Sequence, residues 1–298
     1  MTAFTVPSEF APRVRVGELL SRHTSWHVGG PADIFFMPES RADLIGFLKV
    51  LPPEVPLLWL GLGSNLLVRD GGVRGVVIST RDALTALERR GERGAYAEAG
   101  VPCAKLARAC ARWDLGPAEF FTGIPGTVGG ALAMNAGAFG GETWRQVEQV
   151  ETVDREGTVR ARPAQDYQFR YRHVEAPANE EWFLGATFHF EAGSSEESTR
   201  ALLERRRQTQ PIGEWSCGSV FTNPAGDHAA RLIESAGLKG LRIGGAVVST
   251  KHANFILNEG AATALDIETL IRQVQREVER QHGRRLTPEC RIVGEAHP

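Results

Sequence analysis

Phe121-Thr-Gly-Ile-Pro-Gly-Thr-Val-Gly-Gly-Ala-Leu-Ala-Met-Asn-Ala-Gly137 is the stretch of sequence that carries the most information about the fold. It contains no charged residue, and glycine or alanine recurs along most of its length. Glycine permits tight turns and the close approach of two backbones, and small side chains let a helix pack closely. The stretch therefore predicts a tight loop that runs into a closely packed helix start.

Two further glycine-rich loops precede it, at Val28-Gly-Gly-Pro-Ala32 and at Gly61-Leu-Gly-Ser-Asn-Leu66. Such loops can turn several backbone N–H groups toward one point and so bind a pyrophosphate without a lysine. None of the three loops has the Gly-x-Gly-x-x-Gly fingerprint of dinucleotide folds or the Gly-Lys-Ser/Thr phosphate loop, so the two commonest nucleotide folds are disfavoured. Any one loop alone is equally well interpreted as an ordinary turn.

The residues around these loops predict a mixture of strands and helices. Strands are predicted at short apolar runs bounded by turn residues: 34–37, 57–60, 73–78, 147–153, 158–162 and 182–190. Helices are predicted from Ser40 to before Pro52, from Pro102 to near Gly116 with Cys103 and Cys110 on one packed face, from Asp227 as cap to Gly237, and over 266–281 with Gly283 as the stop. The order changes to strand, helix, strand, helix near residue 206, which predicts a domain boundary there.

Composition limits the classes of protein that the chain can belong to. A chain of 298 residues with 42% hydrophobic residues is long enough for more than one core. Its 34 basic and 36 acidic residues give a net charge of -2, so no strong field exists to hold a nucleic acid. No secretion signal or membrane span is recognised, so a cytoplasmic protein is expected. Four scattered cysteines suggest neither a disulfide framework nor a zinc site.

A hydroxyl and an amide recur in Gly218-Ser219-Val220-Phe221-Thr222-Asn223. If this segment is extended, Ser219, Phe221 and Asn223 point to one face and can meet a common ligand. The alternative, a serine in a turn followed by an asparagine at a strand end, is favoured when the segment is considered alone.

Charged side chains of possible function occur at two places. In Pro288-Glu-Cys-Arg-Ile292, strand alternation puts Glu289 and Arg291 on one face and Cys290 on the other. Tyr171-Arg172 adds a further cation within a polar and aromatic stretch. These groups can hold a charged substrate, or they can form a solvated strand edge with a surface ion pair of about 1 kcal/mol at most.

In this order, the segments closely resemble the UDP-N-acetylenolpyruvoylglucosamine reductase family. The resemblance runs from about Thr24 to Gly294. It includes the three glycine-rich loops, Asn135-Ala-Gly137, Tyr171-Arg172, Gly218-Ser219, Lys251-His-Ala-Asn254 and Glu289-Cys-Arg291. Each motif is weak alone, but the ordered set is specific. The short span between Arg172 and Ser219 is similar to the compact form of the family, which lacks an inserted tyrosine-bearing loop.

The resemblance implies an α+β protein with a two-subdomain FAD-binding domain of the vanillyl-alcohol-oxidase type and a smaller α+β substrate-binding domain. The implied domains are residues 1–64 together with the C-terminal strand 286–298, residues 65–205, and residues 206–285. The implied activity is the NADPH-dependent, FAD-mediated reduction of UDP-N-acetylglucosamine enolpyruvate in the synthesis of peptidoglycan precursors. A monomer or weak oligomer without nucleic-acid or membrane partners is expected.

The resemblance also assigns roles to residues. Arg172, Ser219 and Glu289 are the implied catalytic residues, with Ser219 as the proton donor. The implied FAD contacts are Gly29, Gly30, Pro31, Ala32, Gly61, Leu62, Gly63, Ser64, Asn65, Leu66, Gly123, Ile124, Pro125, Gly126, Thr127, Gly129, Gly130, Ala131, Asn135, Ala136 and Gly137. The implied substrate contacts are Tyr171, Arg207, Asn223, His252 and Arg291. No metal site is implied.

These residue types fit the implied chemistry. An enol ether resists hydride addition, and it becomes an acceptor through its conjugated carboxylate, whose added charge needs positioned donors. Arg172 and a protonated Glu289 suit that task, which predicts that Glu289 is held neutral. A serine hydroxyl is a weak acid, but it can protonate a strongly basic carbon at close range.

Two departures from the family pattern occur. Val174 stands where a serine is common, so a hydroxyl contact is absent there. Cys290 replaces a small aliphatic residue and is interpreted as packing on the buried face of its strand. Two other functions remain as alternatives: an FAD oxidase that passes electrons from an alcohol to oxygen, and a non-catalytic protein that binds a nucleotide sugar.

Overall fold

The computed structural model describes residues 4–193 and 196–296. The outer ends of the predicted segments 1–64 and 286–298 lie outside the described residues. The chain divides into two compact units. The first unit contains residues up to 16, 34–61 and 75–205, and the second contains 17–33, 62–74 and the residues from 206 onward.

The helices and strands alternate irregularly along the described residues. The helices are α1 (Arg41–Val50), α2 (Cys103–Arg112), α3 (Val128–Met134), α4 (Glu196–Thr209), α5 (Ala229–Ser235) and α6 (Ala264–His282). The strands are β1 (Val14–Leu19), β2 (Pro31–Phe36), β3 (Leu57–Leu60), β4 (Leu66–Val68), β5 (Val73–Ser79), β6 (Leu87–Arg90), β7 (Gly94–Glu98), β8 (Leu115–Gly116), β9 (Gly137–Ala138), β10 (Gly141–Glu142), β11 (Val147–Asp154), β12 (Val159–Pro163), β13 (Gln168–Arg170), β14 (His173–Glu175), β15 (Glu181–His189), β16 (Glu191–Ala192), β17 (Arg242–Ile243), β18 (Ala246–Val248), β19 (Ile256–Asn258) and β20 (Arg291–Val293). None of these helices is long and apolar enough to cross a membrane.

Two sheets and two hydrophobic cores organise the first unit. An antiparallel five-stranded sheet has the order β12-β11-β15-β7-β6, and a four-stranded sheet has the order β1-β2-β5-β3. One core joins the apolar face of α2 to α3 and to the inner face of the five-stranded sheet, with Leu106, Leu132 and Phe188 fully buried. The other core forms around α1, where Phe36 and Phe47 stack with ring centroids 3.9 Å apart.

The second unit has a small sheet and a long helix around one core. Strands β17, β18 and β19 form an antiparallel sheet, and β20 pairs with β4 in parallel. The apolar stripe of α6 packs into the core through Ile267, Ile271 and Val274. Trp26 is fully buried there, and its Nε1 donates to the carbonyl oxygen of Ile256 at 2.8 Å.

Most of the predicted elements are confirmed, with ends that differ by a few residues. Ser40 caps α1, since its Oγ accepts a hydrogen bond from the N–H of Asp43 at 3.1 Å. Helix α6 begins at Ala264 behind a capping box formed by Thr263 and Asp266, and it ends at Gly283, whose φ is +63°. Glycine adopts that left-handed conformation without steric cost.

The predicted cap of α5 is wrong. The N-cap residue is His228 and not Asp227, and the side chain that reaches the first helical N–H is that of Asn223, whose Oδ1 accepts from Ala229 at 3.1 Å. Asp227 instead accepts from the N–H of His228 and pairs with Arg231. A loop that folds back over the helix start therefore supplies the acceptor that a local cap usually provides.

Candidate active site

The loop at 28–32 is held by backbone contacts within the second unit. The N–H of Gly30 donates to the carbonyl oxygen of Arg69 at 3.1 Å, and the carbonyl of Gly30 accepts from Leu20 at 3.0 Å. A Cβ at Gly30 would lie 2.1 Å from the carbonyl oxygen of Asp70, and Gly29 has a φ of +128°. Both positions therefore need glycine because of the protein's own backbone.

The loop at 61–66 contains the point where the chain passes from the first unit to the second. In the second unit, Gly63 has a φ of +62°, and a Cβ there would lie 2.1 Å from the carbonyl oxygen of His23. In the first unit, a Cβ at Gly61 would lie 2.6 Å from Oγ1 of Thr127. Each glycine therefore allows an approach that any side chain would block.

The loop at 123–130 ends in the N-terminus of α3, as predicted. Thr127 is the N-cap, and its Oγ1 accepts from the N–H of Gly130. A Cβ at Gly129 would lie 2.9 Å from the Cβ of Ala99, so packing explains that glycine. Gly130 is exposed, and a Cβ there would meet only Thr127 Oγ1 at 3.8 Å. No packing constraint explains Gly130, and its bare backbone fits the close approach of a phosphate-bearing cofactor such as FAD.

Asn135 ends α3 and organises the residues that follow. It is fully buried with a φ of +47°. Its Oδ1 accepts from the N–H of Trp144 at 3.1 Å, and its Nδ2 donates to the carbonyl oxygen of Arg170 at 3.1 Å. The side chain of Asn135 thus ties the end of α3 to the hairpin of β13 and β14.

Arg172 occupies the tip of that hairpin, where Tyr171 and Arg172 connect β13 to β14. Its φ is +54°, which is uncommon for a residue with a side chain and costs about 1–3 kcal/mol where it is enforced. The guanidinium donates to the carbonyl oxygen of Gly137 at 2.7 Å and lies 4.9 Å from the centroid of the Tyr171 ring. Tyr171 is exposed on the surface of the first unit.

Ser219 lies in the second unit on residues 218–223, which do not form a regular strand and are called the Ser219 segment below. Phe221 forms an isolated bridge with Pro288, and its ring is buried in the core, so the regular strand on which the predicted common face of Ser219, Phe221 and Asn223 depends is not formed. Ser219 is half-buried, and its hydroxyl has no hydrogen-bond partner within residues 4–193 and 196–296. The hydroxyl is therefore free to act on a ligand.

Glu289 is held beside the Ser219 segment. Its N–H donates to the carbonyl oxygen of Val220 at 2.7 Å, and its carbonyl oxygen accepts from Nδ2 of Asn65 at 3.1 Å. The structure thus places the chain at Ser219 next to the chain at Glu289, while Arg172 belongs to the first unit. Arg291 is exposed, and its N–H donates to the carbonyl oxygen of Asn65 at 2.9 Å.

Two buried cysteine thiols lie close in sequence to Ser219 and Glu289. Cys217 and Cys290 are both in the core of the second unit, which confirms the packing role expected for Cys290. Burial and the neighbouring Cys290 thiol raise the pKa of Cys217 well above its usual range. In the first unit, Cys103 and Cys110 share the buried face of α2, as predicted, and burial raises the pKa of Cys110 to about 12.

The remaining predicted substrate residues occupy different surroundings in the second unit. Asn223 is exposed but uses its Oδ1 to cap α5. His252 is half-buried against Phe255 with ring centroids 4.8 Å apart, and burial lowers the pKa of its imidazole. The carbonyl oxygen of Arg207 accepts from Nζ of Lys251 at 2.6 Å. Across the described residues, no group of three or more His, Cys, Asp and Glu side chains is placed to hold a metal ion.

Sequence reasoning missed the role of Asn254. This side chain is 3% exposed and bonds the backbone of Phe221 on both its N–H and its carbonyl. The signal in the sequence is the motif Lys251-His-Ala-Asn254, which by itself indicates no function for its last residue.

Comparison with known proteins gives one consistent result. Residues 210–293 match the family model described as UDP-N-acetylenolpyruvoylglucosamine reductase, C-terminal domain, and residues 32–161 match an FAD binding domain. The UDP-N-acetylenolpyruvoylglucosamine reductase of Alkalilimnicola ehrlichii is 58% identical over 95% of this chain and 97% of its own. That of Methylococcus capsulatus is 56% identical over 94% of this chain and 92% of its own.

A solved structure agrees with these sequence matches. The crystal structure of UDP-N-acetylenolpyruvylglucosamine reductase from Thermus caldophilus is 35% identical, covers 94% of this chain and 99% of its own, and superposes with a TM-score of 0.81. The predicted α+β fold class, the predicted FAD-binding domain and the predicted cofactor FAD are thereby confirmed. The chain belongs to the FAD-dependent family of UDP-N-acetylenolpyruvoylglucosamine reductases.

Proposed function

We propose that this protein uses NADPH to reduce the enolpyruvyl ether of UDP-N-acetylglucosamine enolpyruvate, which yields UDP-N-acetylmuramate for peptidoglycan synthesis. Family membership supports the substrate. The structural observation that carries the proposal is the pairing of the Ser219 segment with Glu289 through the 2.7 Å hydrogen bond from the Glu289 N–H to the Val220 carbonyl. This pairing places a free hydroxyl and a carboxyl group on neighbouring segments of one unit.

FAD, when bound, supplies the relay of a hydride from NADPH to the terminal carbon of the enolpyruvyl group. The protein's own residues hold the cofactor and substrate. We assign the cofactor to the three glycine-rich loops and to Asn135, Ala136 and Gly137. The exposed, unconstrained glycine at 130 supports this assignment, because it leaves the exposed position in the first turn of α3 without a side chain.

Ser219 is assigned the proton transfer. Hydride addition at the terminal carbon leaves the adjacent carbon strongly basic, and the Oγ–H of Ser219 protonates it; the resulting alkoxide then recovers a proton from water. Arg172 and a protonated Glu289 donate hydrogen bonds to the substrate carboxylate as its charge increases. The 2.7 Å bond from Arg172 to the Gly137 carbonyl fixes the direction of the guanidinium.

Substrate binding is assigned to Tyr171, Arg207, Asn223, His252 and Arg291. We further propose the three-part division of 1–64 with 286–298, 65–205 and 206–285, a cytoplasmic location, a monomer or weak oligomer, and a role in cell shape and division that follows from peptidoglycan synthesis. Nucleic-acid and membrane partners are not expected.

The test of the proposed function is an anaerobic titration of the FAD-loaded protein followed by visible flavin absorbance. NADPH should bleach the flavin, and UDP-N-acetylglucosamine enolpyruvate should then restore the absorbance fully. UDP-N-acetylglucosamine without the enolpyruvyl group is the matched control and should restore nothing. Bleaching without recovery on substrate contradicts the choice of substrate, and recovery only on admission of oxygen supports an oxidase instead.

A further inference from the structure

Asn254 clamps the two residues that follow Ser219. Its Oδ1 accepts from the N–H of Phe221 at 3.0 Å, and its Nδ2 donates to the carbonyl oxygen of Phe221 at 2.8 Å. Its own carbonyl oxygen accepts from the N–H of Val220 at 2.9 Å. Replacing a buried asparagine that bonds a neighbouring backbone in this way lowers the free energy of unfolding, because the backbone groups that it bonds are left buried without partners.

The same segment is also held by the residues before β20. The N–H of Thr222 donates to the carbonyl oxygen of Thr287 at 3.0 Å, and Glu289 donates to Val220. Residues 220–222 are thus bonded both by Asn254 and by the chain at Thr287 and Glu289. At the centre of this segment, Phe221 forms an isolated antiparallel bridge with Pro288.

On the other side of Ser219, Cys217 is anchored in the core, but Gly218 lies between the two and offers little restraint of its own. Gly218 has a φ of +80°, and a Cβ there would have no heavy atom within 4 Å. A glycine in open space tolerates a wide range of backbone angles. The position of the Ser219 hydroxyl therefore depends on the residues that follow it, and those residues depend on Asn254.

We propose that Asn254 is a positioning residue that fixes the Ser219 hydroxyl for proton transfer, an inference that rests on the role proposed above for Ser219. An amide suits this task because it donates and accepts at once, which matches both polar groups of Phe221. An aspartate in the same place keeps the acceptor but sets a carboxylate oxygen against the carbonyl of Phe221. A displacement of about 1 Å at a reacting group is enough to reduce a rate on the order of 100-fold.

The experiment measures the two half-reactions separately in the FAD-loaded protein. In Asn254→Ala, bleaching of the flavin by NADPH should stay near the wild-type rate, and reoxidation by UDP-N-acetylglucosamine enolpyruvate should slow by about 10- to 100-fold. Asn254→Asp is measured in parallel and should show the same selective loss, so the test survives if the alanine variant does not fold.

A double-mutant cycle with Ser219→Ala separates positioning from general damage. If Asn254 acts through Ser219, then Asn254→Ala should slow reoxidation little further in the Ser219→Ala background, because interacting residues are not additive. Asn258→Ala is the matched control: Asn258 is also buried and bonds backbone groups at Trp26, Gly260 and Ala262, but it does not touch the Ser219 segment. Its effect should add to that of Ser219→Ala.

The possible failures are distinguishable. A wild-type protein whose flavin the substrate does not reoxidise overturns the proposed function and the role of Asn254 with it. Normal wild-type behaviour together with additive effects of Asn254→Ala and Ser219→Ala overturns the positioning role alone. Equal slowing of both half-reactions in Asn254→Ala and Asn254→Asp also overturns it, since the damage then extends beyond proton transfer.

Discussion

Asn65 and Glu289 are joined by a hydrogen bond of 3.1 Å from the Asn65 side-chain nitrogen to the Glu289 carbonyl oxygen. A second bond, from the N–H of Arg291 to the Asn65 carbonyl, belongs to the parallel pairing of β4 and β20. Asn65 therefore fixes the chain on which Glu289 is carried.

Replacing Asn65 should destabilise the second unit. Asn65→Ala leaves the carbonyl of Glu289 without its partner, so the free energy of unfolding should fall by about 1 kcal/mol. Urea unfolding of the apoprotein measures the change, with Asn179→Ala as an exposed control in the first unit. An unchanged unfolding midpoint would show that solvent replaces the bond at no cost.

Two adjacent glycines should respond in opposite ways to alanine. Gly130→Ala adds a methyl group in open space, so it should stabilise the apoprotein by up to about 1 kcal/mol through helix propensity while weakening FAD binding. Gly129→Ala places a methyl group 2.9 Å from Ala99 and should destabilise the fold. Calorimetric titration with FAD and urea unfolding test both variants. Unaltered FAD affinity in Gly130→Ala would remove Gly130 from the cofactor site.

The proton-donor role proposed for Ser219 predicts that its loss slows only the half-reaction with substrate. Ser219→Ala removes the hydroxyl and should leave flavin bleaching by NADPH near normal while reoxidation by substrate slows by about 100-fold or more. Rapid mixing with each reactant in turn measures the two rates. Ser216→Ala, which removes a hydroxyl three residues earlier in the chain, is the control. Equal loss in both half-reactions would rule out a specific role in protonation.

Arg172 should not tolerate lysine. The guanidinium donates from two different nitrogens, to the carbonyl oxygens of Gly137 at 2.7 Å and Asn135 at 3.5 Å, whereas an ammonium group is a point charge without that fixed fork. Arg172→Lys should lower the rate of reoxidation by substrate by about 100-fold, in line with the loss of one positioned donor. The neighbouring Arg170→Lys, with an exposed side chain, should behave as wild type. Wild-type rates in Arg172→Lys would show that charge alone suffices.

His252 should contribute to the pH dependence of stability. Burial lowers its pKa in the folded protein below the ordinary value of 6.5, so the unfolded chain binds the proton more readily. Its contribution to stability is therefore complete above pH 6.5 and is lost as the pH falls toward the folded pKa. Urea unfolding at a series of pH values should show a smaller acid loss in His252→Gln than in wild type. Parallel curves for the two proteins would assign the loss to other groups.

The positions of helices and strands were predictable because their signals are local. Ser40 caps α1, and Gly283 ends α6, as capping rules require. The cap of α5 was predicted wrongly because Asn223 reaches the helix across a turn, and a sequence pattern gives no sign of that path.

The candidate site was only partly predictable from the residues. The glycines at 30 and 63 indicate crowded backbone, but sequence does not tell whether a ligand or the protein crowds it; here the carbonyls of Asp70 and His23 do. Asn254 and Phe221 are 33 residues apart, so their contact has no local signature. The catalytic roles proposed for Arg172, Ser219 and Glu289 come from the ordered motifs and not from composition or periodicity.

The division of the chain has a consequence for biosynthesis. Residues 17–33 and 62–74 leave the ribosome long before residues 206 onward, yet all three segments build one unit. Trp26 is fully buried, and its side chain donates a hydrogen bond to the carbonyl of Ile256, which lies 230 residues later in the chain. Such distant partners slow folding, since a long loop must close before its contacts form. During translation Trp26 therefore lacks this partner until Ile256 has been synthesised, and we expect a chain that is truncated before Ile256 to be prone to aggregation.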